Sequence, residues 1–309
     1  MSEKKAMMWM NGTLIEQDKP LLPFMTHALH YGSGVFEGIR IYDTPKGKAV
    51  FRLREHMVRF LDSAKVMCMK HPYSVDELVE ATRLTVRNTI PNADYIRPLA
   101  WYGENDENRI VLNPFKFKVN VAIACAHMGV YMGKESLENG AKLITSSWTK
   151  PANTSTSLQA KICGNYVNSI LAKIESNQLG ADEALMLNTN GTVAEGPGEN
   201  IFMVKNGKLF TPPLSSGVLE GITKDSVVAI ARDKGYQVIE KEITRSEIYM
   251  ADEFFMTGTA AEVTPIRSLD ERTIGCGKRG PVTKDIQEAF FEAARGNDPR
   301  YLHWLTLVN

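Results

Sequence analysis

Residues 158–166 place one lysine, Lys161, among small and apolar neighbours, directly before a helical pattern. Apolar residues then recur at i, i+3, i+4 and i+7, which predicts a helix with one face directed at a core. Lys161 is therefore expected near the protein interior, where burial favours the neutral amine that forms Schiff bases. The commoner alternative is a lysine whose stem lies along the core while its charge reaches water. The residues of the apolar face are Val167, Ile170, Leu171 and Ile174.

Composition narrows the classes of function. Lysine plus arginine and aspartate plus glutamate both number 36 in 309 residues, and no long run of one charge occurs. Nucleic acid and anionic membranes are therefore not expected partners. No stretch has the length of a signal-peptide core or of a transmembrane segment. The cysteines are scattered without a CxxC spacing, which predicts a reducing cytoplasm with neither a disulfide framework nor a metal site; they are Cys68, Cys125, Cys163 and Cys276.

The first half of the chain has the pattern of an α+β domain. A hairpin is predicted around Asn11-Gly12, because this dipeptide lies between two apolar runs. A helix follows with an apolar face, and Arg59 lies away from that face. We expect a small α+β domain at residues 1–127 and a linker at 128–138, where two glycines interrupt the pattern.

The second half alternates strands and helices, and we expect one larger domain at residues 139–309. The lysine-bearing helix should end at Gly180. A further helix is predicted to begin with Thr223 as its N-cap and to end before Gly235. Pro281 should open the last long helix.

Two turns could bind an anion. Residues 219–224 combine a glycine-rich turn with a helix start, whose free N–H groups and positive dipole end can hold a phosphate. Residues 257–262 form a second small, hydroxyl-bearing turn after a strand, and its N–H groups could form an anion nest. Arg59 would supply a fork-shaped counter-charge. Each feature alone is weak, because a capped helix or a solvated surface arginine is the more common case.

Glu195 lies in a turn-rich segment just before an apolar strand. A carboxylate fixed beside a heteroaromatic nitrogen would keep that nitrogen protonated, although a solvated turn residue is the more common case. No Walker A loop, dinucleotide fingerprint or HExxH zinc pattern occurs. A desolvated lysine, the phenol of Tyr166, a carboxylate, an arginine and two phosphate-binding turns are the groups that pyridoxal phosphate requires. Their coincidence indicates this cofactor.

Over nearly its whole length the chain resembles the bacterial branched-chain amino acid aminotransferases, which are pyridoxal-phosphate enzymes of fold type IV. The resemblance implies the two-domain α+β and α/β fold of the D-amino-acid-aminotransferase-like proteins, with the cofactor in the larger domain. It also implies transamination of L-leucine, L-isoleucine and L-valine with 2-oxoglutarate. The matching segments are residues 27–40, 54–63, 95–98, 160–166, 195–202, 210–223 and 255–262.

The resemblance also implies roles for single residues of the cofactor site. Lys161 is similar to the Schiff-base lysine that moves the substrate proton. Tyr166 matches the tyrosine that hydrogen-bonds the ring oxygen, and Glu195 matches the acid at the pyridine nitrogen. The phosphate cradle corresponds to Arg59, Ile222, Thr223 and Thr259. The turn that receives the substrate α-carboxylate corresponds to Gly258, Thr259 and Ala260.

A substrate pocket is implied in the same way. Arg97 matches an arginine that accepts the distal carboxylate of glutamate, and Gly38 belongs to both the pocket and the catalytic set. Met128 stands where many bacterial relatives have tryptophan, so the side-chain preference depends on it. The residues around the substrate side chain are Phe36, Gly38, Tyr95, Tyr131 and, from a neighbouring subunit, Tyr31.

The implied partners are small amino acids, 2-oxo acids and a second copy of the chain. The resemblance implies a homodimer with shared active sites, often arranged as a hexamer that is a trimer of dimers. Within the same fold, a D-amino-acid aminotransferase and an aminodeoxychorismate lyase are alternatives, and Arg97 with the aromatic pocket favours branched-chain substrates. A non-catalytic cofactor-binding protein is the alternative from another class, and intact Lys161, Tyr166 and Glu195 argue against it.

Overall fold

The structure is a computed structural model that describes residues 5–107 and 109–309. Its strands, in chain order, are β1 Met7–Met10, β2 Thr13–Glu16, β3 Gly34–Phe36, β4 Ile39–Thr44, β5 Gly47–Phe51, β6 Tyr95–Tyr102, β7 Val119–Ala126, β8 Ala141–Thr145, β9 Glu183–Leu187, β10 Val193–Glu195, β11 Asn200–Lys205, β12 Lys208–Thr211, β13 Val238–Glu240, β14 Glu253–Gly258, β15 Glu262–Leu269, β16 Arg272–Thr273 and β17 Leu305–Leu307. Its helices are α1 His27–Tyr31, α2 Leu53–Val66, α3 Val75–Arg87, α4 Gly133–Asn139, α5 Tyr166–Gln178, α6 Ile222–Asp233, α7 Arg245–Tyr249 and α8 Pro281–Ala294. No helix in this described part of the chain is long and apolar enough to cross a membrane.

The chain forms two compact units. Unit 1 consists of Met1–Gly129, Ala160–Gly164 and Ala294–Asn309, and unit 2 of Val130–Gln159 and Asn165–Ala293. No sequence pattern predicted that the short segment carrying Lys161 packs with the first unit. The division into a domain at 1–127, a linker at 128–138 and a domain at 139–309 stays a prediction.

Unit 1 is built on an antiparallel sheet whose strand order differs from the order along the chain. Within the described residues it has eight strands in the order β17-β5-β4-β6-β7-β1-β2, with β3 paired to β6. The predicted hairpin is confirmed, since Met10 pairs with Thr13 and both turn residues, Asn11 and Gly12, have positive φ. This geometry is the type of turn that Asn-Gly favours.

Helices α2 and α3 cover the core of unit 1. The predicted apolar face of α2 is confirmed, because Leu53, Met57, Phe60 and Ala64 are buried and the fifth predicted residue, Leu61, packs against the core while partly buried. Helix α3 begins with a capping box in which Ser74 and Glu77 satisfy each other's backbone N–H groups. The two helices pack in one apolar cluster with strand residues such as Ile96 and Ile123.

Unit 2 is built on a mixed sheet. Among the described residues it has nine strands in the order β10-β9-β8-β15-β14-β11-β12-β13, with β16 paired to β15. The pairs β8–β9, β8–β15 and β12–β13 are parallel, and the other pairs are antiparallel. Both faces of β11 and β14 are buried, and their aromatic residues Phe202 and Phe255 stack at 5.1 Å between ring centroids.

The predicted inward face of α5 is wrong. Val167, Ile170 and Ile174 are 48% to 59% exposed, whereas small residues of α5, including Ala172, are buried. Ala172 packs with Ala184 of β9 in a small apolar cluster. Small side chains allow this helix to approach the sheet closely, so its packed face carries small residues. Apolar periodicity identifies the large apolar residues instead, and these lie on the opposite face.

The predicted N-cap of α6 is also wrong. The helix begins at Ile222 with Gly221 as its N-cap, so Thr223 is the second helical residue and not the cap. A Cβ at Gly221 would lie 1.8 Å from Oδ1 of Asn200. Glycine is therefore required where this turn passes β11. The helix begins two residues earlier than predicted from Thr223 as its N-cap.

Candidate functional site

The segment that carries Lys161 is fixed to unit 1 by its backbone. The Phe36 N–H donates to the Lys161 carbonyl oxygen at 3.1 Å, and the Lys161 N–H donates to Ser63 Oγ at 3.0 Å. Val35 and Ile162 form an isolated antiparallel bridge. Lys161 itself is half-buried. Its side chain therefore projects from a backbone held by both β3 and α2.

The predicted pocket residue Phe36 lies beside Lys161 in unit 1, and Arg97 contacts both Phe36 and Tyr95. The Nζ of Lys161 is 4.8 Å from the centroid of the Phe36 ring. The guanidinium carbon of Arg97 is 4.8 Å from the same ring and 5.3 Å from the ring of buried Tyr95. The site therefore combines an amine, two aromatic faces and a guanidinium group, which suits both apolar and acidic side chains.

Gly38 is explained by Tyr95. Arg97 Nη2 donates to the Tyr95 hydroxyl at 2.7 Å, which fixes the phenol. A Cβ at Gly38 would lie 2.1 Å from that hydroxyl oxygen. Any side chain at residue 38 would displace Tyr95, so the structure gives the predicted pocket glycine a steric reason.

Arg59 is held by a carboxylate that the sequence reasoning missed. Its Nε and Nη2 donate to the two carboxylate oxygens of Glu37 at 2.7 and 2.9 Å, and His56 Nδ1 lies 2.7 Å from Oε2. Burial alone would raise the pKa of Glu37, but Arg59 and His56 outweigh burial and hold it well below its usual range. Burial lowers the pKa of His56. The sequence did offer a signal, because Glu37 lies between Phe36 and Gly38 in an apolar segment. A glutamate buried with such neighbours needs a paired charge.

Tyr31 lies on the surface of unit 1. It ends helix α1 and is exposed, with its ring 4.6 Å from that of buried His27. The side chains of Leu21, Phe24 and Leu29, which precede it, are exposed as well. Tyr31 therefore belongs to an apolar surface and not to the core of its own unit.

In unit 2, Glu195 ends strand β10 and is buried. Among the described residues, three donors hold its carboxylate: Lys150 Nζ reaches Oε1 at 2.8 Å, while Asn200 Nδ2 and the Leu219 N–H reach Oε2 at 3.0 and 3.1 Å. A carboxylate offers about four lone-pair positions. One acceptor position therefore remains for an N–H donor, which fits the protonated nitrogen of a pyridine ring.

The start of α6 fits a phosphate. Ile222 and Thr223 form its first turn, and the N-cap residue, Gly221, makes no side-chain capping hydrogen bond. The helix has twelve residues, long enough for a defined positive end.

Tyr166, which is half-buried, is the first residue of α5 and follows a 3-10 turn at Cys163–Asn165.

The turn at Gly258, Thr259 and Ala260 connects β14 with β15. A Cβ at Gly258 would lie 3.2 Å from the carbonyl oxygen of Gly198 and 3.6 Å from Cγ of Glu199. Glu199 is buried, and its Oε2 accepts from the Gly198 N–H at 3.0 Å. Burial, reinforced by Glu183, raises the pKa of Glu199 to about 8. A neutral carboxylic acid therefore packs behind this turn near neutral pH.

The structure thus divides the predicted set. Tyr131, in unit 2, is exposed, and the Nζ of Lys173 is 5.9 Å from its ring. Among the described residues no group of three His, Cys, Asp or Glu side chains is arranged to hold a metal ion. Unit 1 carries Tyr31, Phe36, Gly38, Arg59, Tyr95, Arg97 and Lys161; unit 2 carries Tyr131, Tyr166, Glu195, Ile222, Thr223, Gly258, Thr259 and Ala260.

The chain is similar to known proteins over nearly its whole length. The family described as amino-transferase class IV matches residues 34–269. The chain is 46% identical to a branched-chain-amino-acid aminotransferase of Pseudomonas aeruginosa over 308 residues, covering 100% of this chain and 99% of that protein. It is 44% identical to the protein of the same name from Escherichia coli K12, covering both chains fully. The solved T.th. branched-chain amino acid aminotransferase complexed with N-(5'-phosphopyridoxyl)-L-glutamate is similar at 47% identity and a TM-score of 0.92, covering 99% of each chain.

Proposed function

Because the chain belongs to the class IV aminotransferases, we propose that Lys161 is the residue to which its pyridoxal phosphate is attached. The chain is a pyridoxal-phosphate-dependent transaminase that acts on branched-chain amino acids. The observation that carries the residue assignment is the position of Lys161, whose backbone is fixed to β3 and whose amine lies 4.8 Å from the Phe36 ring. A fixed, half-buried amine suits reversible attachment of an aldehyde.

The residues of the proposed cofactor site have distinct roles toward the ring, the phosphate and the substrate proton. The cofactor supplies an electron sink for the bonds at the substrate Cα. The amine of Lys161 would accept the proton from the substrate Cα and return it. Glu195 holds a proton on the ring nitrogen, and Tyr166 donates to the ring oxygen. The phosphate is held by Arg59, the first turn of α6 at Ile222 and Thr223, and Thr259.

The proposed substrates are L-leucine, L-isoleucine and L-valine as amino donors and 2-oxoglutarate as acceptor. The backbone of Gly258, Thr259 and Ala260 receives the α-carboxylate. Phe36 and Tyr95 offer ring faces to an apolar side chain, and Arg97 beside them offers a charge to a distal carboxylate. The T.th. relative was solved with a phosphopyridoxyl adduct of glutamate, which supports glutamate as the second substrate.

A homodimer with shared active sites is the proposed assembly, with a trimer of dimers as its larger form. Unit 1 exposes Leu21, Phe24 and Tyr31 in one segment and Leu112 and Phe115 in another. Large apolar side chains exposed together are characteristic of interaction surfaces. Sedimentation velocity should therefore show a particle of at least twice the mass of the chain, and a monomer with full activity would contradict shared sites.

The cytoplasm is the proposed location. All four cysteines are free thiols, and Cys125 is buried. Unpaired cysteines suit a reducing compartment. Detection of the protein in a cytosolic fraction, with its thiols reduced on alkylation, tests this assignment.

Reduction with borohydride tests the attachment of the cofactor. The visible absorbance should bleach, and peptide mapping should find the phosphopyridoxyl group on Lys161. Lys161→Ala should yield no reducible adduct and no turnover. A reducible adduct in Lys161→Ala, or a modified lysine elsewhere, would overturn the assignment. Separate incubations with L-leucine, D-alanine and aminodeoxychorismate, the amino acids with 2-oxoglutarate, distinguish the branched-chain activity from the two alternatives of the same fold.

A further inference from the structure

Lys150 is a largely buried cation outside the set of residues assigned to the site. Its Nζ lies 2.8 Å from Oε1 of Glu195, and the two side chains are only 11% and 8% exposed. Buried ion pairs contribute little net stability, because desolvation of both charges offsets their attraction. A pair of this kind at the acid assigned to the ring nitrogen therefore points to a role in the site.

The backbone at residue 150 is held independently of its side chain. The Lys150 N–H donates to the Leu187 carbonyl oxygen at 2.8 Å. Shortening the side chain would thus leave the loop attached to β9. In the described part of the chain, the ammonium group of Lys150 contacts the carboxylate of Glu195.

The three donors on Glu195 are arranged unevenly. Oε2 accepts from both Asn200 and the Leu219 N–H, whereas Oε1 accepts from Lys150. With about two lone-pair positions on each oxygen, the remaining acceptor position belongs to Oε1, the oxygen that Lys150 fixes. The orientation of that position depends on Lys150 more than on the other two donors.

We propose that Lys150 is a positioning residue for Glu195: it fixes Oε1 so that the carboxylate accepts the ring N–H of the cofactor, and it is the counter-charge beside that carboxylate. This inference rests on the proposed role of Glu195. Lys150 acts through Glu195 and contacts neither substrate nor reacting atoms.

Two ligands separate this role from a merely structural one. Pyridoxal phosphate has the ring nitrogen, and its carbocyclic analogue, in which C–H replaces that nitrogen, keeps the aldehyde, hydroxyl and phosphate. The dissociation constants of both ligands are measured with apoenzyme prepared from the full-length holoenzyme. The variants are Lys150→Met, Lys150→Gln and Lys150→Arg, with Lys142→Met as the matched control. Lys142 forms an ion pair with Glu271 in the same unit and belongs to no assigned set.

Lys150→Met and Lys150→Gln should raise the dissociation constant for pyridoxal phosphate by about tenfold or more, which is the effect of losing one charge-assisted hydrogen bond. The dissociation constant for the carbocyclic analogue should change by less than about twofold. Lys150→Arg should restore most of the affinity for pyridoxal phosphate, and Lys142→Met should match the wild type with both ligands. In a Glu195→Gln background, Lys150→Met should have no further effect, because the two residues act as one unit.

Equal weakening of both ligands, or unchanged affinity for pyridoxal phosphate, would overturn the positioning role. If one variant does not fold, the other two and the Glu195→Gln background still decide the outcome. Failure of the proposed function looks different, since the wild-type protein would then not prefer pyridoxal phosphate to the carbocyclic analogue, or Glu195→Gln would leave that preference intact.

Discussion

The side-chain amide of Asn200 donates a hydrogen bond of 3.0 Å to Oε2 of Glu195. The same nitrogen lies 2.9 Å from the carbonyl oxygen of Leu219, just before the turn that begins α6. Asn200 thus connects the acid assigned to the ring nitrogen with the turn assigned to the phosphate. The length of the cofactor between ring nitrogen and phosphate is fixed, so a rigid connection between these two points favours binding.

Asn200→Asp should be strongly destabilising at alkaline pH. It places a second carboxylate against Glu195 in a buried setting and removes the donor. We expect a loss of about 2–4 kcal/mol in the free energy of unfolding near pH 8. The loss should shrink near pH 5, because protonation of one carboxyl removes the repulsion. Asn200→Ala is the control, since it removes the amide without adding charge and its effect should be equal at both pH values. Urea denaturation measures both, and a pH-independent effect of Asn200→Asp would contradict the prediction.

Glu37→Gln should reveal the buried pair with Arg59. Because the pKa of Glu37 is lowered in the folded state, its contribution is complete above its ordinary pKa and is lost as pH falls through the folded value. Replacement should reduce the free energy of unfolding by about 3–5 kcal/mol at neutral pH, as expected when one partner of a buried pair is removed. The difference from the wild type should decrease as the pH falls below about 4.

Glu80→Gln is the matched control for that measurement. Glu80 pairs with Arg83 at 2.7 Å in the same unit, but its side chain is exposed. Its replacement should cost less than about 1 kcal/mol. Similar losses in the two variants would show that burial of Glu37 adds nothing, contrary to its placement between Arg59 and His56.

Glu199→Gln should stabilise the protein at alkaline pH. The pKa of Glu199 is raised to about 8 by burial and by Glu183. Between the ordinary pKa of a glutamate and pH 8 the unfolded chain releases a proton that the folded protein keeps, so folding becomes less favourable as pH rises. Glutamine is neutral at every pH and should add up to about 4 kcal/mol near pH 8, with a smaller gain near pH 5. Glu183→Gln should instead destabilise, because Glu183 pairs with Lys173 at 2.9 Å. A loss of stability for Glu199→Gln near pH 8 would show that the carboxylate form is required.

Local chemistry made part of this structure predictable. Asn11-Gly12 specifies its hairpin, and the buried face of α2 follows from its apolar periodicity. The mixed α+β and α/β fold of the type IV aminotransferases was also expected from the resemblance, and the class IV comparisons confirm it. The hairpin and the buried helix face depend on residues that are close in the chain.

Pairing over long distances was not predictable in the same way. The partner of Arg59 is Glu37, 22 residues away, and the partner of Lys150 is Glu195, 45 residues away. Helix α5 shows the limit of periodicity, since its apolar stripe is present but lies on the exposed side, while small Ala172 packs on β9. No periodicity distinguishes a helix face that packs on the core from one that meets another molecule.

Gly38→Ala should impair catalysis through Tyr95. The new Cβ would lie 2.1 Å from the Tyr95 hydroxyl oxygen, so the phenol must move and its hydrogen bond with Arg97 must break. A displacement of this size in a substrate pocket can reduce kcat/KM by about 100-fold. Tyr95→Phe removes the atom that meets the new methyl group, although the ring carbon that carried it stays 2.9 Å away. The double variant should therefore recover part of the loss, with a coupling of about 0.5–3 kcal/mol between the two sites. Steady-state kinetics with L-leucine and 2-oxoglutarate on the wild type, both single variants and the double variant measure this coupling, and strictly additive effects would show that the two positions do not meet.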